Sequence, residues 1–161
     1  MKKSSLILII VLVAIGGFFF YRYNVAHDVK LSGIQVIKNG EATALEKKVT
    51  LPAIVHFYAA WCGPCMKEMP EIISFAEGNK GRFNVVFVTD DTPEIIEITA
   101  LRFNTTTERF FQTPSLKENN IYSIPVTYFI NTKGEIAHSI LGECEWTNPS
   151  FIKEVEQYLN Q

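Results

Sequence analysis

Two cysteines separated by two residues, Cys62 and Cys65, stand in the string Trp61-Cys62-Gly63-Pro64-Cys65, just after the apolar run Ile54-Val55-His56-Phe57-Tyr58. Such a pair can close a small disulfide ring and open it again. A strand feeding a helix here puts the first sulfur at the helix start, among unpaired backbone N–H groups and the positive end of the peptide dipoles. A thiolate is stabilised there and its pKa falls. A thiolate near ambient pH is the effective attacker in disulfide exchange. Pro64 fits the first helical turn, where its missing N–H costs nothing. Cys65 lies one turn further on, on the same face and deeper. It is placed to resolve the mixed disulfide that Cys62 forms with a substrate.

Other uses of the pair are weaker. A lone Cys-x-x-Cys is half of a zinc site, but zinc takes four ligands at characteristic spacings. The third cysteine, Cys144, stands alone, and no second Cys-x-x-Cys or Cys-x-x-His occurs. A static structural disulfide rarely closes so small a ring at a strand–helix junction. Redox chemistry is therefore the favoured reading. No Cys-x-x-Cys-His occurs either, so the chain does not bind c-type haem through that motif.

The elements that must carry the pair are legible in outline. Residues 31–37 and 54–59 read as strands, with turn chemistry at Asn39-Gly40 between them. A helix is expected from Gly63 to Glu77, kinked by Pro70 and stopped near Gly78-Asn79. Val85-Val86-Phe87-Val88-Thr89 is a continuous apolar run, as in a sheet covered on both faces. Asp91-Thr92-Pro93 starts another helix, with Thr92 as cap and Pro93 in the first position. Val126–Asn131 and Ile136–Leu141 flank Lys133-Gly134, a hairpin signal. Thr147-Asn148-Pro149 opens a last helix whose Phe151, Ile152, Val155, Tyr158 and Leu159 make one apolar face.

With these motifs in view, the chain resembles the thioredoxin superfamily. Trp61-Cys62-Gly63-Pro64-Cys65 after an apolar strand matches that family's active-site motif. The stretch Cys65-Met66-Lys67-Glu68-Met69-Pro70-Glu71-Ile72 is similar to the CxKExPxL run of its membrane-anchored TlpA/ResA/DsbE-like branch. Ile121-Tyr122-Ser123-Ile124-Pro125-Val126-Thr127-Tyr128-Phe129-Ile130-Asn131 resembles the run that holds the family's cis-proline. The likeness covers roughly residues 31–160 and is weakest between Thr92 and Asn120. It implies an α/β protein: a thioredoxin-like three-layer α/β/α fold with a central mixed sheet.

The resemblance also assigns residues. It implies that Ile124-Pro125 is cis and sets the backbone of Ile124 beside Cys62 to hold a substrate strand. Without the resemblance, Pro125 is a plain strand start. Trp61 reads first as a packing residue that shields the disulfide and second as contact surface, together with Gly63 and Pro64. Glu68, one turn after Cys65, is either a solvated helix residue or, as in the ResA-like branch, a carboxylate that exchanges protons with Cys65. His56 stands where thioredoxins proper carry a buried aspartate. It either tunes Cys65 or is a neutral, hydrogen-bonded strand residue, and the second reading is favoured. Cys144 reads as a buried small hydrophobe rather than a third redox residue.

The N-terminus is a separate unit. Lys2 and Lys3 precede the apolar run Leu6–Phe20, and Tyr21, Arg22 and Tyr23 follow it. That run makes roughly 22 Å of helix. With its flanks it reaches about 20 residues, enough to span a bilayer. Basic residues at the start favour a cytoplasmic N-terminus, and the aromatic flank suits the far interface. The rival is a cleaved signal peptide with Ala14-Ile15-Gly16 as its site, against which the bulky Phe18–Phe20 argue. The expected organisation is an uncleaved transmembrane anchor over 1–23, a linker over 24–30 and a thioredoxin-like domain over 31–161, on the extracytoplasmic (periplasmic) side of the cytoplasmic membrane. No lipobox cysteine precedes the domain.

Beyond residue 26 the chain holds all 17 acidic residues but 12 of the 15 basic ones, a balance of −5. That gives no reason to expect nucleic acid or an anionic membrane surface as partner. About 130 residues form one domain of ordinary size. The expected function is a membrane-anchored, monomeric thiol–disulfide oxidoreductase without a resident cofactor or metal. By resemblance, its Gly-Pro dipeptide belongs with reducing members. The same resemblance implies a membrane electron carrier of the CcdA/DsbD type as donor. Oxidised extracytoplasmic proteins, apocytochrome c among them, are the implied substrates. Two other classes remain open. One is a copper metallochaperone with His138 as distal ligand, although the copper-carrying relatives use Cys-x-x-x-Cys. The other is a non-catalytic binding module.

Overall fold

The computed structural model describes residues 12–17, 31–38 and 40–161. The expected anchor and linker lie outside the described residues, except for 12–17, which are helical and exposed. Among the described residues no helix is long and apolar enough to cross a membrane.

Among the described residues seven strands form one mixed sheet: β1 (Gln35–Lys38), β2 (Glu41–Ala44), β3 (Ala53–Phe57), β4 (Asn84–Thr89), β5 (Phe110–Gln112), β6 (Val126–Ile130) and β7 (Ile136–Leu141). Their order is β2-β1-β5-β4-β3-β6-β7. The three central strands β3, β4 and β5 run parallel, and the flanking pairs are antiparallel. β3 and β6 are buried along their whole length, and β4 is buried after its first residue. This explains their unbroken apolar composition, since a strand covered on both faces has no polar side. β7 lies at an edge, and none of its residues is fully buried.

Among the described residues after 30, three α-helices complete the framework: α1 (Gly63–Gly78), α2 (Pro93–Arg102) and α3 (Pro149–Leu159). α1 is capped by Cys62 and contains Pro70 without ending there. α3 is capped by Asn148, whose side chain accepts the Ser150 N–H at 2.9 Å, with Pro149 in the first turn. Its predicted apolar face packs as expected, with Val155 and Leu159 buried and Phe151, Ile152 and Tyr158 against them.

All three helices pack into one cluster, over Ile54, Val85, Phe87, Phe110 and Phe129 of the sheet. The opposite face, with Val55, Phe57, Val86, Val88, Phe111, Tyr128 and Ile130, is not covered by an α-helix among the described residues. Leu31, Leu45, Leu116 and Ile121 close it, from two 3-10 turns and an irregular segment. The expected second helical layer is corrected accordingly. Between Thr113 and Pro125 the chain makes only turns, with Asn120 at φ +61°. Asn119 turns its side chain to the backbone of Gln35, accepting that N–H at 3.0 Å, and so competes with local helix formation.

Other boundaries move. Leu31–Gly33 is a 3-10 turn, and the first strand starts only at Gln35. The turn at Gly40, φ +80°, joins β1 to β2, a strand that the sequence signals did not reveal. Asn39 lies outside the described residues. β5 was likewise not expected. The β6–β7 hairpin turns at Gly134, φ +80°, as read.

Candidate active site

The cysteine pair sits where β3 gives way to α1. β3 ends at Phe57, and the Cys62 N–H donates to the Ala59 carbonyl at 3.0 Å, closing a tight turn into the helix. Cys62 is the helix N-cap, and its sulfur accepts the Cys65 N–H at 3.3 Å. Cys62 and Cys65 are joined as a disulfide. Cys62 is 5% exposed and Cys65 wholly buried, so an incoming group can reach the first sulfur alone. Gly63 and Pro64 are exposed beside it.

Trp61 departs from expectation. Its side chain is 77% exposed and shields nothing. The turn closed by Cys62 faces residue 61 outward, so contact surface is the role left to it. Ile124 is half-buried and Pro125 buried, and the bond between them is cis. They precede β6, whose first residue Val126 pairs with Phe57 at the end of β3. Both segments therefore reach the same end of the sheet as the cysteines.

One brace was invisible in the sequence. Asp91 Oδ2 accepts the Ala60 N–H at 2.7 Å and the Thr89 hydroxyl at 2.9 Å. It ties the turn before Cys62 to the end of β4. From sequence, Asp91 stood out only as a helix-start residue.

Glu68 is buried, 3% exposed, rather than solvated. Its Oε2 accepts the Cys144 backbone N–H at 2.9 Å and the Trp146 indole N–H at 3.1 Å. Burial raises its pKa, the two N–H groups oppose that shift, and Glu143 and Glu71 add to it. His56 Nε2 lies 3.5 Å from Glu68 Oε1. The imidazole is fully buried and its Nδ1 lies 2.9 Å from Thr127 Oγ1. Burial pushes its pKa down to about 3, so it is neutral at physiological pH. Sequence and structure thus meet on two residues, His56 and Glu68, brought face to face. Trp146 and Thr127, which complete their surroundings, carry no local signal.

Cys144 is a buried free thiol, pushed up to about 12 by burial first and by Glu68 second. A thiol held protonated is a poor nucleophile. His138 lies on β7 and stacks on Tyr158 with ring centroids 4.2 Å apart. Among the described residues no three His, Cys, Asp or Glu side chains converge on a metal-sized site.

The buried imidazole predicts a pH dependence of stability. Its pKa is depressed from 6.5 to about 3, so between those values the unfolded chain binds a proton that the folded chain refuses. Stability falls as pH drops through that window, by up to about 1.4 kcal/mol per pH unit for one proton. Glu68 has the opposite sign, because its raised pKa lets the folded chain take up a proton more readily above 4.5. Urea unfolding of the oxidised protein at several pH values should therefore show the natural chain losing stability relative to His56→Asn as pH falls from 6.5 to 4.5. Parallel profiles would contradict a neutral buried His56.

The thioredoxin family model matches residues 34–107. Sporulation thiol-disulfide oxidoreductase A of Bacillus subtilis is 30% identical over 108 residues, 58% of this chain and 65% of that protein. Thioredoxin-like protein YneN, also from Bacillus subtilis, is 28% identical over 127 residues, 76% of this chain and 71% of its own. The chain thus spans just under two thirds of the first relative's length. Among solved structures, a thiol:disulfide interchange protein of the thioredoxin family from Chlorobium tepidum aligns with a TM-score of 0.60. It covers 80% of this chain and 98% of its own at 18% identity, a likeness of fold. The stretch that the thioredoxin model matches holds the Cys62–Cys65 disulfide at the start of α1 and the central strands β3 and β4 beneath it, and the fold is thioredoxin-like.

Proposed function

We propose that this chain is a protein-disulfide reductase working outside the cytoplasm. The observation that carries the reading is the asymmetry of the pair. Cys62 caps a helix and receives the Cys65 N–H, whereas Cys65 is closed off from solvent. In the reduced protein the Cys62 thiolate attacks one sulfur of a substrate disulfide. A Cys62–substrate bond forms, the substrate S–S bond breaks, and the departing sulfur takes a proton from water. Cys65 then gives up its proton and attacks the Cys62 sulfur. The Cys62–Cys65 bond re-forms and the second substrate thiol leaves, so two electrons have passed to the substrate.

Glu68, buried one turn after Cys65, is the base assigned to that proton, with the neutral His56 as its neighbour. The exposed Trp61, Gly63 and Pro64, with Ile124 and Pro125 at the same end of the sheet, form the surface offered to the substrate strand.

Lys2, Lys3 and the apolar run up to Phe20 support a single-pass anchor with the domain on the extracytoplasmic side. A reductase there needs electrons brought across the membrane, which supports a carrier of the CcdA/DsbD type as donor. Oxidised extracytoplasmic proteins, with apocytochrome c cysteines among them, are the substrates this reading assigns.

The catalytic roles are tested by insulin reduction with a chemical reductant recycling the protein. Cys62→Ser should fall to background, and Cys65→Ser should accumulate mixed disulfides visible on non-reducing gels. Wild-type turnover by Cys62→Ser would overturn the assignment.

The anchor is tested by expressing the whole chain in a bacterium. It should resist carbonate extraction and be cut by protease from the outer side of the membrane. Recovery of a soluble exported protein beginning near Gly17 would replace the anchor with a cleaved signal.

A further inference from the structure

Four side chains from four parts of the fold meet on the helix-covered side of the sheet. His56 and Thr127 are cross-strand partners on β3 and β6. Glu68 comes from α1, and Cys144 from the segment between β7 and α3. All four are buried. Their contacts have a chemical direction that can be followed around the ring.

Glu68 Oε2 receives two groups that can only donate, the Cys144 backbone N–H and the Trp146 indole N–H. Glu68 Oε1 and His56 Nε2 are both buried, neither has a hydrogen-bond partner among the described residues, and they face each other at 3.5 Å. A buried polar atom without a partner is costly, so the proton that lies between these two atoms matters. Two N–H donors on the same carboxyl group favour its ionised form. The proton then belongs on Nε2, which points it at Oε1. A neutral imidazole with its hydrogen on Nε2 has a bare Nδ1 that needs a donor. Thr127 Oγ1, at 2.9 Å, stands at that position. The Cys144 thiol at 3.9 Å donates to the same oxygen, which leaves the Thr127 hydrogen free for His56.

We infer that Thr127 is a positioning residue: its hydroxyl donates to His56 Nδ1, fixes the Nε2–H tautomer, and so holds Glu68 as a carboxylate one turn after Cys65. This deepens the proposed function and rests on its assignment of Glu68 as base. Without the hydroxyl, the imidazole loses its reason to keep Nδ1 bare. Moving its hydrogen to Nδ1 would set two lone pairs against each other at Nε2 and Oε1. Glu68 would then hold a proton and stop accepting one from Cys65. The other charged groups around Glu68 act the same way in every variant. Glu71 and Glu143 disfavour its charge, and Lys67 is held by Glu143 at 2.8 Å. Cys144 stays a neutral thiol, and the remaining face of His56 meets the edge of Phe87 at 6.0 Å between centroids.

The test compares Thr127→Val, which removes the hydroxyl, with Thr127→Ser, which keeps it, in the full chain. Long-range 1H–15N correlations of the ring nitrogens at neutral pH should show His56 with bare Nδ1 and protonated Nε2. Thr127→Ser should keep that pattern and Thr127→Val should lose it. In stopped-flow traces, Thr127→Val should slow release of the mixed disulfide by about tenfold or more, while the first attack by Cys62 is unchanged. Thr127→Ser should stay within about twofold of the natural rate. A natural chain with Nδ1–H overturns the inference even if Thr127→Val fails to fold. An unaltered tautomer or release rate in Thr127→Val overturns it as well. The ring spectra need no turnover, so a chain inactive on disulfides would sink the proposed function and leave the tautomer result readable.

Discussion

The first backbone N–H groups of α1 have no partner within the helix, and here a sulfur atom takes one of them. Cys62 accepts the Cys65 N–H at the helix start. The same place in another helix would hold a serine or aspartate oxygen. Using a cysteine makes the cap reactive, because the electrostatics that satisfy an N-cap also favour a thiolate. The surrounding structure serves that one position. β3 is buried throughout and delivers the chain to the helix start, Asp91 fixes the turn between them, and Pro64 begins the helix. Cys65, one turn on, is carried into the cluster under α1, α2 and α3.

Burying one cysteine creates a second demand. In the proposed cycle a thiol sealed from water cannot lose its proton to solvent and calls for a polar group buried near it. The chain buries two, His56 and Glu68, among aromatic and aliphatic side chains. Burial drives them in opposite directions, toward a neutral imidazole and a reluctant carboxylate. The segment after β7 compensates for the carboxylate by turning in the Cys144 backbone N–H and the Trp146 indole. Cys144 therefore matters for the amide it presents and for its neutral thiol near Thr127, not for disulfide chemistry of its own.

Where the signal is local, the sequence foretells the structure well. The apolar runs of β3, β4 and β6 and the proline-led starts of α1, α2 and α3 are recognisable because propensity and burial agree. β2 and β5 are short and have no distinctive composition, so only their pairing partners define them. The second face of the sheet departs from what the fold class alone would suggest, because Asn119 and Asn120 divert the backbone from a helix. At the site, Cys62 and Cys65 are plain from spacing. The partners of Glu68 and His56 are not: Thr127 is 71 positions from His56, and Trp146 is 78 from Glu68. Contacts across such separations follow from topology, which no short motif encodes. Trp61 shows the converse, since a large aromatic beside the cysteines suggests packing and the turn exposes it.

The central claim is that the two sulfurs, chemically identical in the chain, are made unequal by where the helix starts. Alkylation of the fully reduced protein with iodoacetamide, mapped by mass spectrometry across a pH series, measures this directly. Cys62 should be modified first and much faster than Cys65, with a midpoint below the value of about 8.5 for an ordinary cysteine. Faster labelling of Cys65, or a Cys62 midpoint at or above that ordinary value, would contradict the account.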